Sequence, residues 1–157
     1  MTDRGRRRHP RLRGDQGAAT TELVLVTPAL LFIIMLLVQF GLWMHATHVA
    51  RSAAQEGARA ARVEGVADRT QAGMDAAGKL LDRVAPTLIT NRQVTSDLSN
   101  PSDPSGACVA ADPSDPAATS VCVEVEGDVV SLVPFATLSV DAVSEGPIER
   151  FTSDAGP

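Results

Sequence analysis

Three hydropathy regimes follow one another along this chain. From Leu23 to Met44 it reads LVLVTPALLFIIMLLVQFGLWM, without a charge. As a helix these 22 residues extend roughly 33 Å at 1.5 Å per residue. The hydrocarbon core of a bilayer is about 30 Å thick, so a single helix spans it. Thr27 and Gln39 are polar interruptions that such a helix tolerates. Pro28 falls near the start of the run, where a missing backbone N–H does least damage. Trp43 falls at the far edge, the usual place for an interfacial aromatic.

The second regime, His45 to about Leu88, predicts helix that continues from the apolar run. Its first part, ATHVARSAAQEGARAARV, is built of good helix formers. Small residues recur at Ala50, Ala53, Ala54, Gly57, Ala58, Ala60 and Ala61, a face that lets another helix approach closely. Glu64-Gly65 marks a break. A second helix follows from Ala67, with an apolar stripe at Met74, Ala77, Leu81 and Val84, and Pro86 ends it.

In the third regime the period shortens. NPSDPSGACVAADPSDPAATS is turn and loop chemistry, with PSDP at Pro101 and again at Pro113. Val121 to Glu126 alternates apolar and polar, as does Leu138 to Val143. Gly127-Asp128 reads as a turn, Val129 to Val133 as a further strand, and Val94 to Leu98 as an edge strand. The expected fold class is α+β: a long N-terminal transmembrane-plus-extension helix, a second amphipathic helix and a small antiparallel β-sheet packed on it. The expected divisions are a basic leader over residues 1–17, a transmembrane helix over 18–44, an extracytoplasmic helical region over 45–93, a β-rich region with a disulfide loop over 94–150, and a flexible tail over 151–157.

Charge gives this layout a direction. Six Arg precede the apolar run (Arg4, Arg6, Arg7, Arg8, Arg11 and Arg13), and only Arg51, Arg59 and Arg62 follow closely. The excess predicts an N-terminus in the cytoplasm and a C-terminal region outside the cytoplasmic membrane. From Ser96 onward there are eleven acids against one base, Arg150. The Arg-rich head has a charge suited to nucleic acid, but before an apolar span it is better explained as a topology signal. A cleaved secretory signal is disfavoured, because its apolar core is normally about 7–15 residues and His48 spoils the small-x-small site after Met44.

Aromatics are scarce: Phe32, Phe40, Trp43, Phe135 and Phe151, with no Tyr. A thin domain is expected, stabilised by something besides burial. Cys108 and Cys122 are the only cysteines, and an even pair in an exported region reads as a disulfide. Closing the loop VAADPSDPAATSV would stabilise by about 3 kcal/mol in the chain-entropy model.

No enzyme is predicted. His45 and His48 share a helix face, but nothing nearby completes a metal site. The Ser- and Asp-rich tail has no His to serve as base, and no phosphate-binding loop or Cys-x-x-Cys occurs, so no cofactor is expected.

Glu22 is the residue that asks for an explanation, because it abuts the apolar run directly. As an ordinary boundary carboxylate it would reach back to the interface at little cost. Gly17 offers a sharper reading. A cut after Gly17 makes Ala18 the first residue and Glu22 the fifth. The new amine of Ala18, in this chain or a neighbour, could then pair with Glu22 in a medium where such pairing is strong and an unpaired charge is costly. The cut would also remove the Arg-rich head.

A basic leader, Gly, four residues, then Glu and an apolar helix is the type IV prepilin pattern. More closely, GAATTELVLVTPALL followed by ARSAAQEGARAARV resembles the TadE-like proteins of the Tad (tight adherence) pilus system. These share the Gly-x-x-x-x-Glu start, an early Pro in the membrane helix, and an Ala/Arg-rich core that here reads Ala54-Gln55-Glu56-Gly57-Ala58-Arg59. SLVPFATLSVDAVSEGPIER is loosely similar to the family's closing strands. The likeness covers about residues 14–150 and is strong over 17–63. Thr21-Glu22-Leu23 departs from the usual Val-Glu-Phe and leaves the Gly–Glu spacing intact. The resemblance implies a minor pilin or pseudopilin that helps assemble a Flp pilus. It makes Gly17 and Ala18 the processing site of a prepilin peptidase and Glu22 the assembly carboxylate. The implied partners are the membrane, other pilin subunits and the Tad assembly platform. The competing function is an uncleaved single-pass anchor that displays a small disulfide-bonded binding domain.

Overall fold

The structure is a computed structural model that describes residues 15–63, 65–99, 108, 119–133 and 137–149. The Arg-rich head, both PSDP repeats and the tail from Phe151 lie outside the described residues. The elements are α1 (Asp15–Arg62), α2 (Arg69–Val84), β1 (Ile89–Ser99), β2 (Ser120–Val129) and β3 (Leu138–Pro147). The fold class is α+β, as the pattern predicts. The chain divides into two compact units, Met1–Leu37 and Val38–Pro157.

In the first unit, α1 is exposed from Thr21 to Leu37 with only Met35 half-buried. α1 is long and apolar enough to cross a membrane, with a mean hydropathy of 2.7 in its most apolar window, of which 6% is buried. Pro28 stands inside this helix, well past its first turn. It lies near the start of the apolar run, as read from the sequence, but in the interior of the longer helix α1. Its missing N–H deprives the Val24 carbonyl of its usual donor. One residue earlier, the Thr27 hydroxyl donates to the Leu23 carbonyl at 2.6 Å.

The second unit packs both helices against one face of a three-stranded antiparallel sheet of order β1-β2-β3. Period-two alternation selects that face. Val121, Val123 and Val125 of β2 are fully buried, flanked in register by Leu98, Ser96 and Val94 of β1 and by Gly146, Ser144 and Ala142 of β3. From the helices come Ala46, Val49, Ala50, Ala53, Ala54, Ala58 and Ala61 of α1 with Ala77 and Leu81 of α2. Small side chains dominate, so the helices must lie close to each other and to the sheet. At Gly57 a Cβ would come within 2.8 Å of the Gly73 carbonyl oxygen. The alanine-rich stretch thus fulfils its predicted role of close helix approach, and it also faces the sheet through Val123.

Both helix ends are chemically closed. α1 ends at Arg62, and Gly65 follows at a φ of 85°, at the predicted break. The Arg69 guanidinium donates to the carbonyls of Ala61, Arg62 and Val63 at 3.2, 3.1 and 2.9 Å, satisfying the last turn of α1. The Asp68 carboxylate caps α2 by accepting from the Gln71 N–H at 3.0 Å. That bond, with a second from the Thr70 hydroxyl, holds the Asp68 carboxyl below its usual pKa.

Three local expectations are corrected. Val84 points outward, and Gly73 joins Ala77 and Leu81 on the buried face of α2. β2 runs straight through Gly127-Asp128, so Val129 to Val133 is not a separate strand. Gly127 is required by proximity instead of by a turn, since a Cβ there would meet Ile89 Cγ2 at 2.4 Å. β1 begins at Ile89, ahead of the alternation at Val94. A register shift between Thr90 and Gln93, with Asn91 at a φ of 48°, hides its first residues from a period-two reading.

Candidate functional site

The residues singled out by sequence lie at the start of α1. The backbone of Gly17 and Ala18 is helical. Glu22 follows on the same helix and is exposed, with Leu23, Val24, Leu25 and Val26 exposed after it. A carboxylate thus begins a helical surface that is uncharged and, apart from Thr27, apolar as far as Val38. In water this arrangement is unremarkable. In lipid an isolated carboxylate is expensive to desolvate. The Gly17–Ala18 bond lies within α1 (Asp15–Arg62).

The far end of the apolar run differs from its sequence reading. Gln39, read as a tolerated interruption in a lipid-facing helix, is only 4% exposed. Its side-chain amide acts as a two-way connector. Nε2 donates to the Val130 carbonyl at 3.4 Å, and Oε1 accepts from the Leu132 N–H at 2.7 Å. Trp43 is half-buried, and its indole N–H donates to the Ser139 carbonyl of β3 at 3.3 Å. Gln39 therefore holds the segment between β2 and β3, and Trp43 holds the start of β3. Gln39 is the one amide in an uncharged run, but its partners lie more than ninety residues away, so the sequence gives no sign of this role.

Cys108 and Cys122 are joined, with an S–S distance of 2.07 Å and their Cα atoms 5.4 Å apart. Cys122 lies on the sheet face opposite the helices, so the crosslink covers a surface that neither helix reaches. Beside it is a polar cluster that the sequence reading missed. The hydroxyls of Ser99 and Ser120 lie 2.9 Å apart, and both reach Glu145 Oε1. Ser99 and Ser120 are register partners, and Glu145 pairs with Cys122 on the same face. The cluster ties all three strands together. His45 and His48 are both exposed. Among the described residues no group of three or more His, Cys, Asp and Glu comes together that could hold a metal ion.

Residues 17–59 match the family described as TadE-like protein. No curated protein and no solved structure gives a significant match. The matched segment begins at Gly17 and includes Glu22, Pro28, Gln39 and Gly57. Together with one apolar N-terminal helix able to anchor the chain in a membrane, it fits a component of the Tad pilus system. From the glycine before its apolar helix through the alanine-rich stretch that follows, this chain is similar to TadE-like proteins.

Proposed function

We propose that this protein is a minor pilin or pseudopilin that takes part in assembling a Tad (Flp, type IV-like) pilus. A prepilin peptidase cuts after Gly17, releasing the Arg-rich head. α1 holds the mature chain in the cytoplasmic membrane, and the second unit lies outside. Glu22 pairs with the α-amine of Ala18 on a neighbouring subunit and so sets the axial register between helices. The protein acts through assembly contacts and not as an enzyme. One observation carries this reading: the TadE-like match starts at Gly17, with Glu22 at the head of an exposed apolar helix. The charge asymmetry about that helix supports the orientation.

The test is the N-terminus of the protein isolated from its native host. A mature chain starting at Ala18 is the expected result. A chain starting at Met1 or Thr2, in cells whose peptidase is active, overturns the pilin reading in favour of an uncleaved anchor. Orientation is tested separately by a phosphatase active only after export, fused after Pro157. Activity is expected, and an inactive fusion overturns the topology.

A further inference from the structure

The segment between β2 and β3 has two properties that are rarely combined in a surface loop. Val130 and Leu132 are 39% and 48% exposed, and Val130 to Val133 carries no charge. Five of the eight backbone N–H and C=O groups of Val130–Val133 are held by partners within the protein. The Val130 N–H donates to the Leu88 carbonyl at 3.0 Å. The Val130 carbonyl and the Leu132 N–H are taken by Gln39. The Ser131 hydroxyl donates to the Val133 carbonyl at 2.8 Å and accepts from the Val133 N–H at 3.2 Å. A loop facing water has no need of such closure, since water satisfies its backbone. A loop facing hydrocarbon does need it, because every unsatisfied N–H or C=O there costs several kcal/mol.

Where the loop is attached supplies the second argument. Gln39 is flanked on α1 by Val38 and Phe40, 47% and 56% exposed, and Met44 one turn on is 49% exposed. The apolar surface of the loop is thus tethered within the apolar surface of the helix. We infer that the loop Val130–Val133 dips into the outer leaflet of the membrane beside α1, with Val130 and Leu132 as its lipid contacts. The inference rests on α1 being the membrane helix.

Depth can be read on the full chain in phosphatidylcholine vesicles. Single Leu132→Cys, Val130→Cys, Leu31→Cys and Val63→Cys variants, with the native disulfide verified by non-reducing peptide mapping, are labelled with a nitroxide. Collision with oxygen, which concentrates in lipid, is compared with collision with a water-soluble nickel complex. The oxygen-to-nickel ratio is expected to be several-fold higher at 130 and 132 than at 63, and highest at 31. Labels at 130 and 132 that match the one at 63, while 31 reads lipid, overturn the loop inference and leave the membrane helix standing. A label at 31 that reads water overturns both.

Discussion

Gly57 of α1 and Gly73 of α2 meet backbone to backbone: a Cβ on Gly57 would come within 2.8 Å of the Gly73 carbonyl oxygen. The same Cβ would lie 3.0 Å from Val123 Cγ1 and 3.1 Å from Ala77 Cβ. One contact therefore fixes the spacing of two helices and a strand. A carbonyl cannot rotate away as a flexible side-chain end can. Gly57→Ala gains up to about 1 kcal/mol of helix propensity, against about 1–3 kcal/mol for overpacking. The net expectation is destabilisation, seen as a lower urea midpoint. Gly78→Ala is the control, since a Cβ there meets nothing within 4 Å. It should raise the midpoint. Equal effects of the two substitutions would show that the Gly57 contact does not limit packing.

Gln39→Leu separates lipid exposure from anchoring. If Gln39 merely interrupts a lipid-facing surface, Leu improves the helix and changes nothing else. If its amide holds the β2–β3 segment, Leu strands the Val130 carbonyl and the Leu132 N–H. Each buried group left unpaired costs about 1–3 kcal/mol. Membrane insertion should be unchanged, while amide hydrogen exchange at Leu132 accelerates and the second unit loses stability. Exchange at Leu132 as slow as in the unaltered protein would remove Gln39 from the anchoring role.

Asp68 gives the α2 cap a pH dependence. The Gln71 N–H and the Thr70 hydroxyl stabilise the charged carboxylate and lower its pKa from the ordinary 3.8. A lowered folded-state pKa means that the contribution is complete above the unfolded value and disappears as pH falls through the folded one. Asp68→Asn keeps a capping oxygen and removes the titration. Thermal unfolding followed from neutral pH to about pH 2 should show a smaller acid-induced loss for Asp68→Asn than for the unaltered chain. Parallel curves would mean that the cap does not contribute to acid sensitivity. Asp68→Ala should be less stable than either across the range, because it lacks the acceptor altogether.

How much of this was legible in the sequence depends on the range of each contact. The membrane-length helix, the break at Gly65, the capping Pro86 region and the alternation in β2 and β3 are local patterns, and they read correctly. The cysteine pair read correctly because only one pairing exists. Gly127 misled, since a Gly next to an Asp signals a turn by local chemistry, while its actual constraint is Ile89 across the sheet. The start of β1 was obscured by its irregular register at Thr90–Gln93. Gln39 and the Ser99–Ser120–Glu145 cluster depend on partners far along the chain, so no local pattern marks them. The apolar stripe of α2 was displaced from Val84 toward Gly73 because close helix contact, and not hydrophobicity, selects that face.

Glu22 and Gly17 should fail differently, and the difference distinguishes a processed subunit from a plain anchor. Gly17 has no side chain to obstruct a peptidase that must approach the backbone closely. Gly17→Leu should leave the Arg-rich head attached, giving a heavier chain by mass spectrometry that stays in the membrane fraction. Glu22→Ala should be cut normally, because the cleaved bond lies more than a helical turn away, yet should not co-purify with other pilus subunits. Glu22→Gln tests why. It keeps the size and the hydrogen-bonding capacity and loses the charge. An ion pair to the Ala18 amine, set in lipid, predicts that Gln fails nearly as fully as Ala, since a lone ammonium is left in a medium that penalises it. A hydrogen bond at the water interface predicts that Gln rescues most of the association. Rescue by Gln would place Glu22 outside the hydrocarbon and remove its role as the charge that sets register.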